Sequence, residues 1–260
     1  MAPRIHPTAI VDPRAELGPD VDVGPYAIVG AGAQIGAGSR LMAHAVVLGP
    51  AVLGERNVVH PFAVIGGESQ NKRAPGPGTS SLVVGARNTF REHVTVHRGT
   101  EGGSTRIGHD NLFMVGSHAA HDAIVGSSCT FANGVQLAGH AKIEDHATFG
   151  GLSGVAQFVV VGQSAFVAAG AMCERRVPPF VIVQGDRARV RGLNVVGLRR
   201  RGLSEETIER LLSTFRTLFG STVPRAAALE TVPRGDPFVD ALLDALGSDG
   251  RASPSALRQK

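Results

Sequence analysis

The stretch VGPYAIVGAGAQIGAGSRLMAHAVV, residues 23–47, repeats itself every six residues. Val23, Val29, Ile35, Leu41 and Val47 mark the beat. The same beat extends back through Leu17 and Val11 to Ile5, and forward through Leu53 and Val59 to Ile65. It resumes at Val84, Phe90 and Val96, is reset at Ile107, and runs on to Val167. Four residues after each beat comes a second position that is almost always small: Ala27, Ala33, Ser39, Ala45, and later Ser117, Ala123, Ala141, Ala147. A period of six matches neither the 3.6-residue turn of a helix nor the two-residue alternation of an open strand. It is the period of an all-β solenoid, a parallel β-helix with three short sides, each using one six-residue unit. The aliphatic residue fills the interior, and the small one lets the chain turn without crowding the next coil.

Composition sets the outer limits. The chain has 260 residues, 34 glycines, no tryptophan, two cysteines and a formal charge of +4. Cys129 and Cys173 supply neither a disulfide framework nor a metal cluster, and Cys129 falls at a small-residue corner as a structural thiol. No apolar run approaches the length of a membrane span and the N-terminus lacks a signal-peptide core, so a cytoplasmic chain without stable membrane insertion is expected. Arg187, Arg189, Arg191, Arg199, Arg200 and Arg201 form a local basic run suited to phosphates or an acidic partner. Without interleaved aromatic residues it argues against nucleic acid.

The expected organisation is a β-helix over residues 1–186 with loop insertions near 67–82 and 98–106. A small helical C-terminal domain follows over 187–247, and then a disordered tail, 248–260. The Pro178–Pro179 pair is expected to end the coils, because proline cannot donate to a ladder. LSEETIERLLSTFRTLF reads as a helix capped by Ser204, with Glu205 and Glu206 in its first turn. Two shorter helices follow in PRAAALETV and DPFVDALLDAL. Together they would cover the open end of the solenoid.

Residues eighteen apart lie on successive coils, roughly 4.8 Å from one another. Asp122 therefore stacks on His140. His121 stacks on Gly139 and, one coil further, on Gln157. An imidazole faces a rung with no side chain, where a substrate carbonyl would find both space and a backbone N–H. A neutral imidazole beside an oriented aspartate suits general-base chemistry. No GxSxG motif occurs and no cysteine is placed for acyl-enzyme formation, which favours direct transfer. His118 and His97 are further candidates. His44, His60, His93 and His146 read as solvated or structural.

IHPTAIV, TVHRGT, HDNLFM, HAAHDAIVG, LAGH, VPPFVIVQG and GLNVVGLRRRG resemble the acyl-ACP–UDP-N-acetylglucosamine O-acyltransferases, which start lipid A synthesis. The resemblance spans about residues 1–220. It implies a left-handed β-helix of hexapeptide repeats, a homotrimer with sites between subunits, and no cofactor or metal, with an acyl carrier protein and a UDP-sugar as partners. It implies that His121 is the general base, Asp122 its support and the Gly139 N–H the oxyanion donor. Gln70, Asn71, Arg73, His118, His140, Gln157, Asn194 and Arg200 would line the substrate site. Ala169 would limit acyl length, and Arg199 and Arg201 would meet the carrier protein. The chain departs from the family pattern at Asn71 (usually Asp), Arg73 (Lys), Ala74 (Tyr), Ala156 (His) and Val196 (acidic). These changes leave open N-acylation of a 3-amino sugar nucleotide. Two more distant alternatives are a metalloenzyme like the γ-type carbonic anhydrases and a solenoid without catalytic function.

Overall fold

The computed structural model describes residues 1–72, 80–220 and 222–247. Arg73 and the tail from 248 lie outside them. The strands run from β1 (Arg4–Ile5) to β28 (Arg189–Leu193) and fall into three sheets of eleven, nine and eight strands, visited in rotation along the chain. Pairing within the coils is parallel and the register is eighteen residues, as in Asp22↔Arg40 and Ile35↔Leu53. The six-residue beat becomes the core: Val29, Ile35, Leu41 and Val47 are all within 2% of full burial. Phe90, Phe113, Phe131 and Phe149 form a buried column on the first sheet, with ring centroids 4.4–5.2 Å apart.

Across the two insertions the register lengthens, with Val59 opposite Phe90 and Phe90 opposite Phe113, and then returns to eighteen at Phe113↔Phe131. Both insertions leave the solenoid at the corner between the second and third sheets. The core stacking continues unbroken on the far side of both.

Most corners turn through a residue with positive φ. At many corners it is not glycine: Asp122 (φ 59°), His140 (59°) and Phe158 (64°) stand in one file between the second and third sheets. Such conformations are costly for L-residues outside glycine and asparagine. The regular coil over-determines them and aims their side chains outward in a stack. Between the first and second sheets the file is Tyr26, His44, Phe62 and His93, whose rings stack at 5.1–5.3 Å. His44 and His93, read from sequence as solvated or structural, are members of an aromatic stack, and His60 lies 3.5 Å from Glu92.

A polar ladder runs inside. Asn57 donates to the Gly54 and Gly85 carbonyls and accepts from the Asn88 backbone and amide. Asn88 repeats the pattern with Gly108 and Asn111, and Asn111 with Gly126 and the Cys129 N–H. Cys129 ends the ladder, buried, and burial pushes its thiol up to about 12.

The proline pair does not end the coils. Pro178 and Pro179 occupy a corner, and β27 (Val181–Gln184) then pairs in parallel with β25 (Phe166–Val167). A corner makes fewer ladder demands than a strand, so the missing N–H groups are tolerated there. The next strand, β28, falls beyond residue 186, within the expected helical domain, and turns back antiparallel on β27. Four helices follow: α1 (Val195–Arg200), α2 (Glu205–Phe219), α3 (Arg225–Thr231) and α4 (Pro237–Gly247). Ser204 caps α2 through the Thr207 N–H. Phe180, projecting from the proline corner, is fully buried among Leu198, Ile208, Leu211 and Leu242, so the helices are packed onto the solenoid end.

Candidate active site

The corner between the second and third sheets carries His121–Asp122, Gly139–His140 and Gln157–Phe158 on successive rungs. His121 Nδ1 lies 2.9 Å from Asp122 Oδ2. A carboxylate only accepts, so Nδ1 carries the proton and Nε2 keeps its lone pair. Nε2 is directed over Gly139: a Cβ there would stand 2.6 Å from Nε2 and 2.4 Å from Cε1. Any side chain would evict the imidazole. The Gly139 N–H has no acceptor among the described residues, so an unpaired backbone donor belongs to the residue over which the imidazole lies.

Asp122 is held from the second insertion. Thr100 donates its N–H and its Oγ1–H to the carboxylate at 2.9–3.2 Å, and the Asp122 N–H donates to Thr105 Oγ1 at 2.8 Å. Burial opposes ionisation of Asp122, but the His121 and Thr100 hydrogen bonds prevail and hold its carboxyl below the usual range. At Gly103 a Cβ would fall 2.0 Å from Asp122 Oδ1, so the loop passes too close for any other residue. Thr100, Gly103 and Thr105 escaped the sequence reading because an insertion breaks the eighteen-residue rule. Their only signal was position, immediately after TVH.

His140 stacks on Phe158 with centroids 4.6 Å apart and meets the His121 ring edge-on at 5.2 Å, its Nε2 3.7 Å from Asp122 Oδ2. The ligand atoms of His121, Asp122 and His140 lie within 4.8 Å of one another, close enough to hold a metal ion. In the arrangement seen, the His121–Asp122 pair is engaged in hydrogen bonds. His118 Nδ1 is 2.7 Å from Thr95 Oγ1, and its ring meets His97 edge-on at 4.7 Å. Burial, with the neighbouring His118 and His121, pushes His97 down to about 4, so it is neutral at physiological pH.

A cleft of about 970 Å³ opens along this corner. It brings together Gln70, Asn71, His97, His118, His121, Gly139 and Gln157, with Leu137, Val155 and Met172 as apolar lining. Five of the expected residues fall elsewhere. Asn194 is buried as the cap of α1, accepting from the Gly197 N–H and donating to the Ser164 carbonyl. Arg201 turns inward to Gln163, Ser164 and the Phe238 ring. Arg199 makes a bidentate pair with Glu205. Asn194 and Arg201 thus converge on the corner between the third and first sheets. Ala169 is exposed at the remaining corner, against Gly150. Arg200 is exposed at the end of α1, and Arg73 lies outside the described residues.

Residues 177–253 match the family model described as UDP N-acetylglucosamine O-acyltransferase, domain 2, and residues 32–67 match the bacterial transferase hexapeptide model. The chain is 50% identical to the acyl-[acyl-carrier-protein]–UDP-N-acetylglucosamine O-acyltransferase of Synechocystis sp. over 90% of its own length and 85% of the relative's. It is 44% identical to that of Stenotrophomonas maltophilia over 94% of both chains. The crystal structure of the Moraxella catarrhalis UDP-N-acetylglucosamine O-acyltransferase superposes with a TM-score of 0.88 at 37% identity, covering 94% of this chain and 96% of that one. The chain belongs to the acyl-ACP–UDP-N-acetylglucosamine O-acyltransferase family.

Proposed function

We propose that His121 is the general base of direct acyl transfer from acyl-ACP to the 3-hydroxyl of UDP-N-acetylglucosamine, the first step of lipid A biosynthesis. The single observation that carries this is the His121 imidazole, protonated at Nδ1 by its bond to Asp122, with Nε2 over the bare backbone of Gly139. Nε2 takes the hydroxyl proton as the sugar oxygen attacks the thioester carbonyl. The new C–O bond forms, the carbonyl electrons move onto oxygen, and the Gly139 N–H stabilises that oxyanion, a contribution of about 3 kcal/mol for one such donor. On collapse the C–S bond breaks and the imidazolium returns its proton to the departing thiolate. Asp122 and Thr100 keep the imidazole in the required tautomer.

Gln70, Asn71, His118, His140 and Gln157 surround the sugar and the head of the acyl chain in this reading. Asn194, Arg199, Arg200, Arg201 and Ala169 act at subunit junctions. The location of Asn194, Arg201 and Ala169 on other corners of the same coil stack supports a homotrimer, in which a neighbour completes each site. Exposed Tyr26, Phe62 and Leu152, on one corner file, offer apolar contact surface for that assembly.

The test is acyl transfer from a series of 3-hydroxyacyl-ACPs to UDP-N-acetylglucosamine, with His121→Ala alongside. Product lost only in the variant supports the base, and the product mass gives the chain length admitted beside Ala169. Turnover confined to a 3-amino-3-deoxy sugar nucleotide would replace the hydroxyl acceptor. Sedimentation of a species three times the chain mass checks the trimer.

A further inference from the structure

Beyond Gln157 and Phe158 the same corner continues to Arg175 and Arg176, and there a second groove of about 1070 Å³ opens between the last coils, β28 and α2. Six arginines line it, Arg175, Arg176, Arg189, Arg191, Arg216 and Arg225, against one carboxylate, Glu174. Its floor is apolar, with Phe158, Pro178, Phe215 and Phe219. Arg175, Arg189, Arg191 and Arg216 are exposed and have no acidic partner among the described residues. Elsewhere on the chain, Arg14, Arg87, Arg199, Arg210 and Arg234 are each paired with a carboxylate. Gln157 and Glu174 line both this groove and the catalytic cleft, so the two are continuous.

We propose that this arginine-lined groove, and not the Arg199–Arg201 segment, is where the acyl carrier protein docks. The inference rests on the acyl-transfer reading above. An apolar floor ringed by arginines, four of them exposed and without an acidic partner among the described residues, fits an acidic protein surface, with the charges steering encounter and the aromatic floor supplying anchorage. The carrier's arm, attached through a phosphodiester, then runs along the corner into the cleft. From Arg175 to His121 is three rungs, about 14 Å at the spacing of adjacent strands. Arg199 is paired with Glu205, and Arg201 is turned inward onto Gln163, Ser164 and the Phe238 ring, so neither is presented outward as an unpaired cation.

Binding of fluorescently labelled holo-ACP, followed by anisotropy, separates docking from chemistry. Arg189→Gln/Arg191→Gln and Arg175→Gln/Arg216→Gln should each weaken binding at least tenfold, whereas Arg40→Gln, on the first sheet far from the groove, should leave it unchanged. The wild-type affinity should fall steeply between low and physiological salt. The preference for acyl-ACP over an acyl-pantetheine thioester, measured as the ratio of kcat/KM values, should fall at least tenfold in both double variants. Because this is a ratio, partial loss of folded enzyme does not mimic it. Unchanged carrier affinity in both double variants, or an unchanged donor ratio, overturns the docking surface. So does a short nucleic acid duplex that binds the groove as tightly as the carrier. Failure of the wild type to transfer acyl groups, with carrier binding intact, would overturn the catalytic reading and leave the surface standing.

Discussion

Two files of polar residues run along this solenoid, one inside and one outside. Asn57, Asn88 and Asn111 form the inner file, almost wholly buried, and each spends its amide on its neighbours. His121, Asp122, Gly139 and His140 form the outer file. There the Nε2 of His121 and the N–H of Gly139 have no hydrogen-bond partner among the described residues, and both residues line a cleft. Stacking on successive rungs is common to both, so stacking of polar groups is not itself the mark of a site. The mark is an unspent donor or acceptor. A satisfied file stabilises the coil, and an unsatisfied one is available to a substrate.

The comparison is sharpest at its extremes. His121→Ala should lower kcat by about 10²–10⁴-fold, the range for a positioned general base, with the melting temperature nearly unchanged. Asn88→Ala should do the reverse. It leaves buried carbonyl and amide groups of two adjacent rungs unpaired, at about 1–3 kcal/mol for each orphaned group, and should lower the melting temperature by several degrees with kcat retained in the folded fraction. Activity lost in step with stability in both variants would erase the distinction between the files.

Gly139→Ala probes the gap itself. A methyl group 2.4 Å from His121 Cε1 must displace the ring, and a displacement of this size should cost about 10²-fold in kcat. Thr100→Ala should cost less, about tenfold, because Asp122 keeps its bond to His121, and Thr100→Ser should restore most of the activity. The smallest effect concerns pH. His97, pushed down to about 4 from an ordinary 6.5, is neutral in the folded state where the unfolded chain takes up a proton. Stability should therefore fall as pH drops from about 6.5 towards 4, and be independent of this group above that window. Melting curves across the window should flatten in His97→Gln and keep their slope in Asn88→Ser, since the inner file does not titrate.

How much was legible follows from the same geometry. Where the register is an unbroken eighteen, sequence gave neighbours directly: Asp122 beneath His140 and His121 beneath Gly139. Helix α2 was equally readable, because its Ser204 cap, acidic first turn and apolar spacing all point one way. The asparagine file was missed because the insertions separate Asn57, Asn88 and Asn111 by unequal intervals, hiding a ladder that is regular in space. Helix α1 was not among the expected helices, since its Val-Val-Gly start has weak helical propensity and its Asn194 cap resembled a ligand-binding residue. The basic run 187–201 looked like one patch. Folding divides it between β28, where Arg189 and Arg191 stay open, and α1, where Arg199 and Arg201 are consumed. Charge counting along the chain has no access to that partition.

The reversal of direction at β28 bears on a hazard of any coil whose backbone hydrogen bonds run along its axis. Each rung is a template for the next, and a chain end left bare would accept the first coil of another molecule, extending the stack into a fibre. Fibre growth requires two compatible ends on every unit. An antiparallel strand occupies the last edge of the first sheet, and a helical core anchored by Phe180 is packed beyond it. At most one end remains able to receive a parallel strand. Removing everything after Gln184 should thus convert a discrete protein into one that polymerises end to end, with the catalytic file still formed inside each repeat unit.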